Sequence, residues 1–250
     1  GLASNYNFTG GTQTADITQA GLVLSTSNVT KTYDGGFTAA GTAVVTGGTL
    51  FTSAGDALSG GTFAFTDKNF GLGNKTVTTT GVTVGDGVNN GNYNVSYANN
   101  TTSTINPYAV NVSGSRAYDG TVDMAAGALT MGTLVGTETL ALSGIGAVAD
   151  KNVGTAKSVT LGTLALGNGT GLASNYNFTG GTQTADITKA ALTVSAAGQT
   201  KVYDATTAAT VTLGDNRLGS DVLSLGYGTA SFNDKNVGAA KPVNVSGIAL

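Results

Sequence analysis

A chain of 250 residues with no His, no Cys, no Trp and 10% charged residues, at a net charge of −3, has no Ser-His or Cys-His pair, no ordinary zinc set and no disulfide. Its slight acidity offers no basic footprint for nucleic acid or an anionic membrane, and no apolar run of about eighteen residues marks a membrane span. With 39 Gly and only 2 Pro, and with many Thr, Val, Asn and Ala, the composition is poor in helix formers and rich in strand and turn residues.

The chain opens with "GLASNYNFTGGTQTADIT" at 1–18, which returns letter for letter at 171–188. It contains Tyr6 within "NYN" and closes on "ADIT". Next comes "KTYDG" at 31–35, holding Tyr33 and Asp34, then "FTDKNFG" at 65–71, holding Asp67, Lys68 and Asn69 and followed by Lys75. A second "NYN" at 92–94, around Tyr93, precedes "STIN" at 103–106 and Pro107.

The same order then repeats. "RAYDG" carries Tyr118 and Asp119, "VADKNVG" carries Asp150, Lys151 and Asn152 ahead of Lys157, and a third "NYN" carries Tyr176. "KVYDA" carries Tyr203 and Asp204, and "FNDKNVG" carries Asp234, Lys235 and Asn236 ahead of Lys241. The three marker tyrosines are spaced by 85 residues and again by 85, so the chain reads as a tandem array. Residues 1–20 are expected to be the C-terminal strands of a preceding repeat, 21–108 repeat 1, 109–190 repeat 2, and 191–250 a repeat 3 lacking its closing strands.

Within each repeat, stretches such as "TFAFT", "KTVTTTGVTV", "YNVSYA" and "ADIT" alternate apolar with small polar residues, the period of a strand with one buried face. Gly, Asn and Asp clusters separate them. Seven or eight short strands in about 85 residues predict an all-β chain of tandem antiparallel, Ig-like β-sandwiches. Junctions such as "ADITKAALTVS" contain no Gly/Ser linker, which predicts a stiff rod.

The ordered set of "KTYDG", "DKNVG" with a following Lys, and "NYN" before "ADIT" resembles the YDG-type repeat of very large bacterial surface exoproteins, including filamentous-haemagglutinin-like adhesins. The resemblance implies a secreted or surface-attached β-rich stalk, outside a Gram-negative-type cell, with no enzymatic activity in the repeats. Ala205 departs from the Gly of the triplet, and Phe70 from the Val of "DKNVG".

The recurring residues are expected to serve architecture. A buried Tyr whose hydroxyl bonds backbone, beside an Asp capping a turn, would form the same corner in each repeat. The DKN element reads as a turn whose Lys pairs with a carboxylate; a sharper alternative is a Lys-to-Asp or Asn amide crosslink, which needs a buried, neutral acid. "VGDGVNNGN" offers hard oxygens for calcium but no regular Asp ladder, so no cofactor is expected. Sequons at Asn7, Asn28, Asn94, Asn111, Asn177 and Asn244 are attributed to composition.

The function expected is therefore a structural stalk or fibre of a secreted adhesin or matrix protein. The alternative is a low-affinity, multivalent module for polysaccharide or a host surface. The partners expected are other copies of the same repeat, because residues 1–20 and 191–250 are complementary and could combine head to tail or by strand donation.

Overall fold

The computed structural model describes residues 1–88, 91–219 and 221–250. It is all-β: twenty-one strands, with single 3-10 turns as the helical pieces among the described residues. No helix among the described residues is long and apolar enough to cross a membrane. Two compact units are present, one of residues 1–110, 133–141 and 166–180, the other of 111–132, 142–165 and 181–250. The division runs through the second repeat.

In the first unit, repeat 1 is built from seven strands: β1 (Ala20–Thr26), β2 (Thr30–Thr32), β3 (Ala43–Gly48), β4 (Ala57–Phe65), β5 (Gly71–Gly85), β6 (Tyr93–Tyr97) and β7 (Asn100–Asn106). They form two sheets, ordered β3-β1-β6 and β2-β7-β5-β4. Leu22 and Leu24 from the first sheet meet Val82 and Val84 from the second, with Tyr93 closing the cluster. Burial of these side chains supplies the stabilisation that the Gly-rich turns cannot.

The sheets are mixed, which alternation of side chains did not indicate. β1 runs parallel to β6, with Ala20 beside Tyr93, and β2 runs parallel to β7, with Thr32 beside Asn106. The other pairs are antiparallel. When the opening and closing strands of a repeat run the same way, the chain enters at one end and leaves at the other, as an end-to-end array requires.

β5 also departs from strict alternation. Its first half buries Lys75, Val77 and Thr79, and its second half Val82 and Val84. The switch falls at Gly81, which faces Gly61 across the β4–β5 pair, and both take positive φ. Only glycine adopts that conformation without strain, so two facing glycines let one strand serve two parts of the core.

Repeat 2 continues in the first unit with β8 (Tyr108–Ala109), which pairs in parallel with β16 (Tyr176–Asn177). In the second unit are β9 (Val112–Ala117), β10 (Asp123–Ala125), β11 (Leu129–Met131), β13 (Ile145–Val148), β14 (Gly154–Thr160) and β17 (Gln183–Thr188). They make a six-stranded sheet ordered β10-β13-β14-β17-β9-β11. β12 (Leu140–Ser143) and β15 (Ala165–Asn168) complete the repeat. Repeat 3 has two antiparallel pairs, β18 (Val194–Gly198) with β19 (Val211–Asp215), and β20 (Thr229–Phe232) with β21 (Val243–Ser246).

The duplicated sequence adopts two states. At 171–188 it forms β16 and β17, and Tyr176, Ala185 and Ile187 are buried. At 1–18 it forms no strand, keeping only the Ala3–Asn5 turn that matches Ala173–Asn175, and Tyr6 and Ile17 are exposed. A strand face has nothing to gain from ordering without a partner to bury it.

Truncating the two isoleucines therefore has opposite outcomes. Ile187→Ala is expected to destabilise the chain by about 2–5 kcal/mol, and Ile17→Ala to leave its denaturant midpoint unchanged. Equal losses in urea titrations would contradict this assignment of partners.

Candidate functional site

The marker residues converge on one recurring constellation, a carboxylate held by tyrosines. In repeat 1, Tyr93 stands at the start of β6 and donates its hydroxyl to Oδ2 of Asp56 at 2.5 Å, while the hydroxyl oxygen accepts the Phe51 N–H at 3.1 Å. In repeat 2, Tyr176 does the same with Oε2 of Glu138 at 2.6 Å and the Val135 N–H at 3.2 Å. The other oxygen of Glu138, Oε1, accepts the hydroxyl of Tyr33 from repeat 1 at 2.5 Å. Both oxygens of one carboxylate thus hold tyrosines from successive repeats.

The rings pack as well as bond. Tyr33 and Tyr108 each meet Tyr176 edge to face, with centroids 5.6 and 6.0 Å apart, the arrangement that aromatic quadrupoles favour. Asn175, fully buried, accepts the Phe70 N–H on Oδ1 and donates from Nδ2 to Oδ1 of Asn69. The DKN turn of repeat 1 and the NYN element of repeat 2 are therefore also joined.

In the second unit the hydroxyl of Tyr118 donates to Oδ1 of Asp221 at 2.9 Å, and Lys151 reaches the same oxygen at 3.3 Å while lying over the Tyr118 ring. A YDG tyrosine of one repeat thus bonds the acid of the next, twice in the chain. The corner expected from the sequence is corrected in its partner: Tyr33 and Tyr118 bond a carboxylate, because the acid of the following repeat lies within reach and is the stronger acceptor.

The electrostatics follow from burial and these bonds. Burial pushes the Tyr33 phenol up, helped by the hydrogen bond to Glu138, to about 12; the same causes raise Tyr176. Burial alone would raise the Glu138 carboxyl, but the hydroxyls of Tyr176 and Tyr33 outweigh it, with Lys68 adding favourable charge, and hold it below the usual carboxylate range.

The Asp of each triplet caps a turn. Asp34, Asp119 and Asp204 accept the N–H two residues on, from Gly36, Thr121 and Thr206. Each pairs with a basic residue three positions earlier, Lys31, Arg116 or Lys201. The middle of the turn takes positive φ at Gly35 and Gly120, and also at Ala205, which keeps the turn at a cost of roughly 1–2 kcal/mol.

The DKN element is a second capped turn. Asp67, Asp150 and Asp234 accept the N–H of Asn69, Asn152 and Asn236, and each pairs with the later Lys, Lys75, Lys157 or Lys241. The hydrogen bond from the Lys, with the backbone N–H, lowers each of these carboxyls. They are ionised and half exposed, unlike the buried neutral acid that an amide crosslink needs. Lys235 lines a groove in repeat 3, and Tyr6 and Tyr203 stand exposed.

Asp86, the carboxylate of the loop considered for calcium, accepts the N–H groups of Val88 and Asn92. Asn89 and Asn90 of that loop lie outside the described residues. Among the described residues, no three His, Cys, Asp or Glu side chains are grouped to hold a metal ion.

Three successive segments, residues 18–104, 101–185 and 188–250, match the family model of the YDG domain. They span nearly the whole chain, which therefore belongs to the YDG domain family in three tandem copies. No curated protein and no solved structure matches it.

The joint should titrate at both ends of the pH scale. Glu138 lies below its ordinary value of 4.5 in the fold, so its contribution is present above that value and lost as pH falls through the folded one. Tyr33 is raised from 10.0 to about 12, so its contribution is full below 10.0 and lost as pH rises through about 12. Urea midpoints against pH are expected to show a plateau with both flanks falling, and Tyr33→Phe to lower the plateau and flatten the alkaline flank. A Tyr33→Phe profile superimposable on that of the parent chain would contradict the assignment.

Proposed function

We propose that the three YDG domains are a structural array, a stiff stalk or fibre segment of a large secreted or surface-attached bacterial adhesin or matrix protein. The observation that carries the reading is the use of the marker residues. The YDG tyrosines Tyr33 and Tyr118 are spent on carboxylates of the following repeat, and the Asp and Lys markers on turns within their own repeat. Groups so committed join repeats and present no convergent set to a ligand or reacting bond.

The strand order supports the same reading. A repeat whose opening and closing strands run parallel passes the chain from one end to the other, and only Pro107 separates β7 from β8. The absence of His and Cys from the sequence leaves the cluster without the usual base or nucleophile. The repeats are accordingly non-enzymatic.

Small-angle scattering of the 250-residue chain is expected to give a radius of gyration well above the roughly 18 Å of a compact chain of this length. A glycan array probed with the same chain is expected to stay blank. A compact radius would sink the stalk. Glycan binding that survives Tyr33→Phe would favour the multivalent carbohydrate module.

A further inference from the structure

We propose that repeats 1 and 2 bear tension, each through a clamp whose first and last segments are loaded in shear along their length. In repeat 1 the first segment, β1 and β2, lies in parallel beside the last segment, β6 and β7, in both sheets. Ala20 to Leu24 face Tyr93 to Tyr97, and Thr30 to Thr32 face Thr104 to Asn106, with the register slipping by a single residue between the two pairs.

The corner at which both segments pass from one sheet to the other is bonded as well. Ala98 donates its N–H to the Leu24 carbonyl, and Thr104 to that of Val29, each at 2.8 Å. Oδ1 of Asn28 accepts Nδ2 of Asn100 at 2.8 Å and the Thr102 hydroxyl at 2.7 Å. The Val29 N–H donates to the hydroxyl of the fully buried Ser103 at 3.0 Å. The last rung is Tyr33, whose N–H donates to the Asn106 carbonyl at 2.8 Å.

Repeat 2 pairs its first and last segments in the same direction. Tyr108 and Ala109 lie parallel to Tyr176 and Asn177, and the six residues of β9 lie parallel to the six of β17. Val110 and Val112 donate their N–H groups to the carbonyls of Asn177 and Thr182, and Oδ1 of Asn111 accepts the Thr182 N–H at 2.7 Å. The last rung is again the YDG tyrosine, with the Tyr118 N–H on the Thr188 carbonyl at 2.8 Å. Asn28 and Asn111, two of the sequon asparagines, thus serve the pairing of first with last segment.

Direction decides how such pairing meets a load. Tension along the chain enters a repeat at the start of its first segment and leaves at the end of its last. In a parallel pair those two points lie at opposite ends, so pulling slides one segment along the other and loads all the bonds between them together. In an antiparallel pair such as β4 with β5, pulling at the open end loads one bond at a time. A single hydrogen bond contributes little, so sharing the load sets the force at which a repeat yields. The YDG tyrosine stands where one clamp meets the next repeat: its N–H is the last rung, and its hydroxyl holds Glu138 or Asp221 of the repeat that follows.

The clamp rests on the structural reading above but fails separately from it. Single-molecule force spectroscopy of the whole chain tests it by direction of pull. The sequence has no Cys, so thiol handles can be placed either on cysteines added at the two ends or on Ser53→Cys with Val88→Cys. Both of these positions are exposed, and they flank the open end of the β4–β5 pair. Pulled by its ends, the chain is expected to show a rupture for each of repeats 1 and 2, each releasing at most roughly 300 Å of chain. Forced unfolding follows the rate of unfolding, and these ruptures are expected at a force severalfold above that needed when repeat 1 is pulled through positions 53 and 88. Equal forces in the two directions, or smooth extension of the end-pulled chain, would overturn the proposal. An extended chain that yields at low force would keep the stalk and lose the clamp, whereas a compact or glycan-binding chain that resists end-to-end pulling would lose the stalk and keep the clamp.

Discussion

The chain depends on a carboxylate held between two phenols. Glu138 accepts Tyr33 on one oxygen and Tyr176 on the other, and so ties one repeat to the next through a single ionised group. A buried ion pair would require two charges to leave water, and that cost often cancels the attraction. Tyrosine avoids half of it, because the phenol is neutral at ordinary pH, gives a charge-assisted bond, and brings a large apolar ring to the same spot. The lower-charge solution suits a chain with only 10% charged residues.

Around this joint, pairing decides what each segment becomes. β1 and β2 find β6 and β7 in parallel, β8 finds β16 and β9 finds β17, and each repeat closes by bringing its last strands beside its first. The eighteen residues shared by 1–18 and 171–188 have the same propensities and the same alternation. One copy is two strands and the other is none. Local sequence sets the capacity for a strand, and the neighbouring backbone and apolar face determine whether it is used.

Much of this was legible in the residues. Repetition exposed the YDG, DKN and NYN markers, and turn chemistry pointed to Asp34, Asp119 and Asp204 as caps, but the lysine expected to pair within the DKN turn was the one inside the triplet, whereas the structure pairs Asp67, Asp150 and Asp234 with the later Lys75, Lys157 and Lys241. The partners of the tyrosines were not legible. Asp56, Glu138 and Asp221 lie 11, 12 and 13 residues before the Asp of their DKN elements and change between Asp and Glu, so no fixed spacing marks them. Their shared signal is an acid one or two residues after Gly55, Gly136 or Gly219. Parallel pairing stayed hidden because a period of two gives a face and never a direction, and the switch of buried face in β5 stayed hidden because it needs Gly61 and Gly81 to meet across two strands.

The claim that a tyrosine–carboxylate bond joins successive repeats is tested most directly by a double-mutant cycle between Tyr33→Phe and Glu138→Gln, read from denaturant unfolding of the whole chain. A direct bond to a charged acceptor predicts a coupling energy of roughly 1–3 kcal/mol, with the double variant losing less than the two single losses together. Strictly additive losses would mean that the two side chains do not act on each other, and the joint would have to be sought elsewhere.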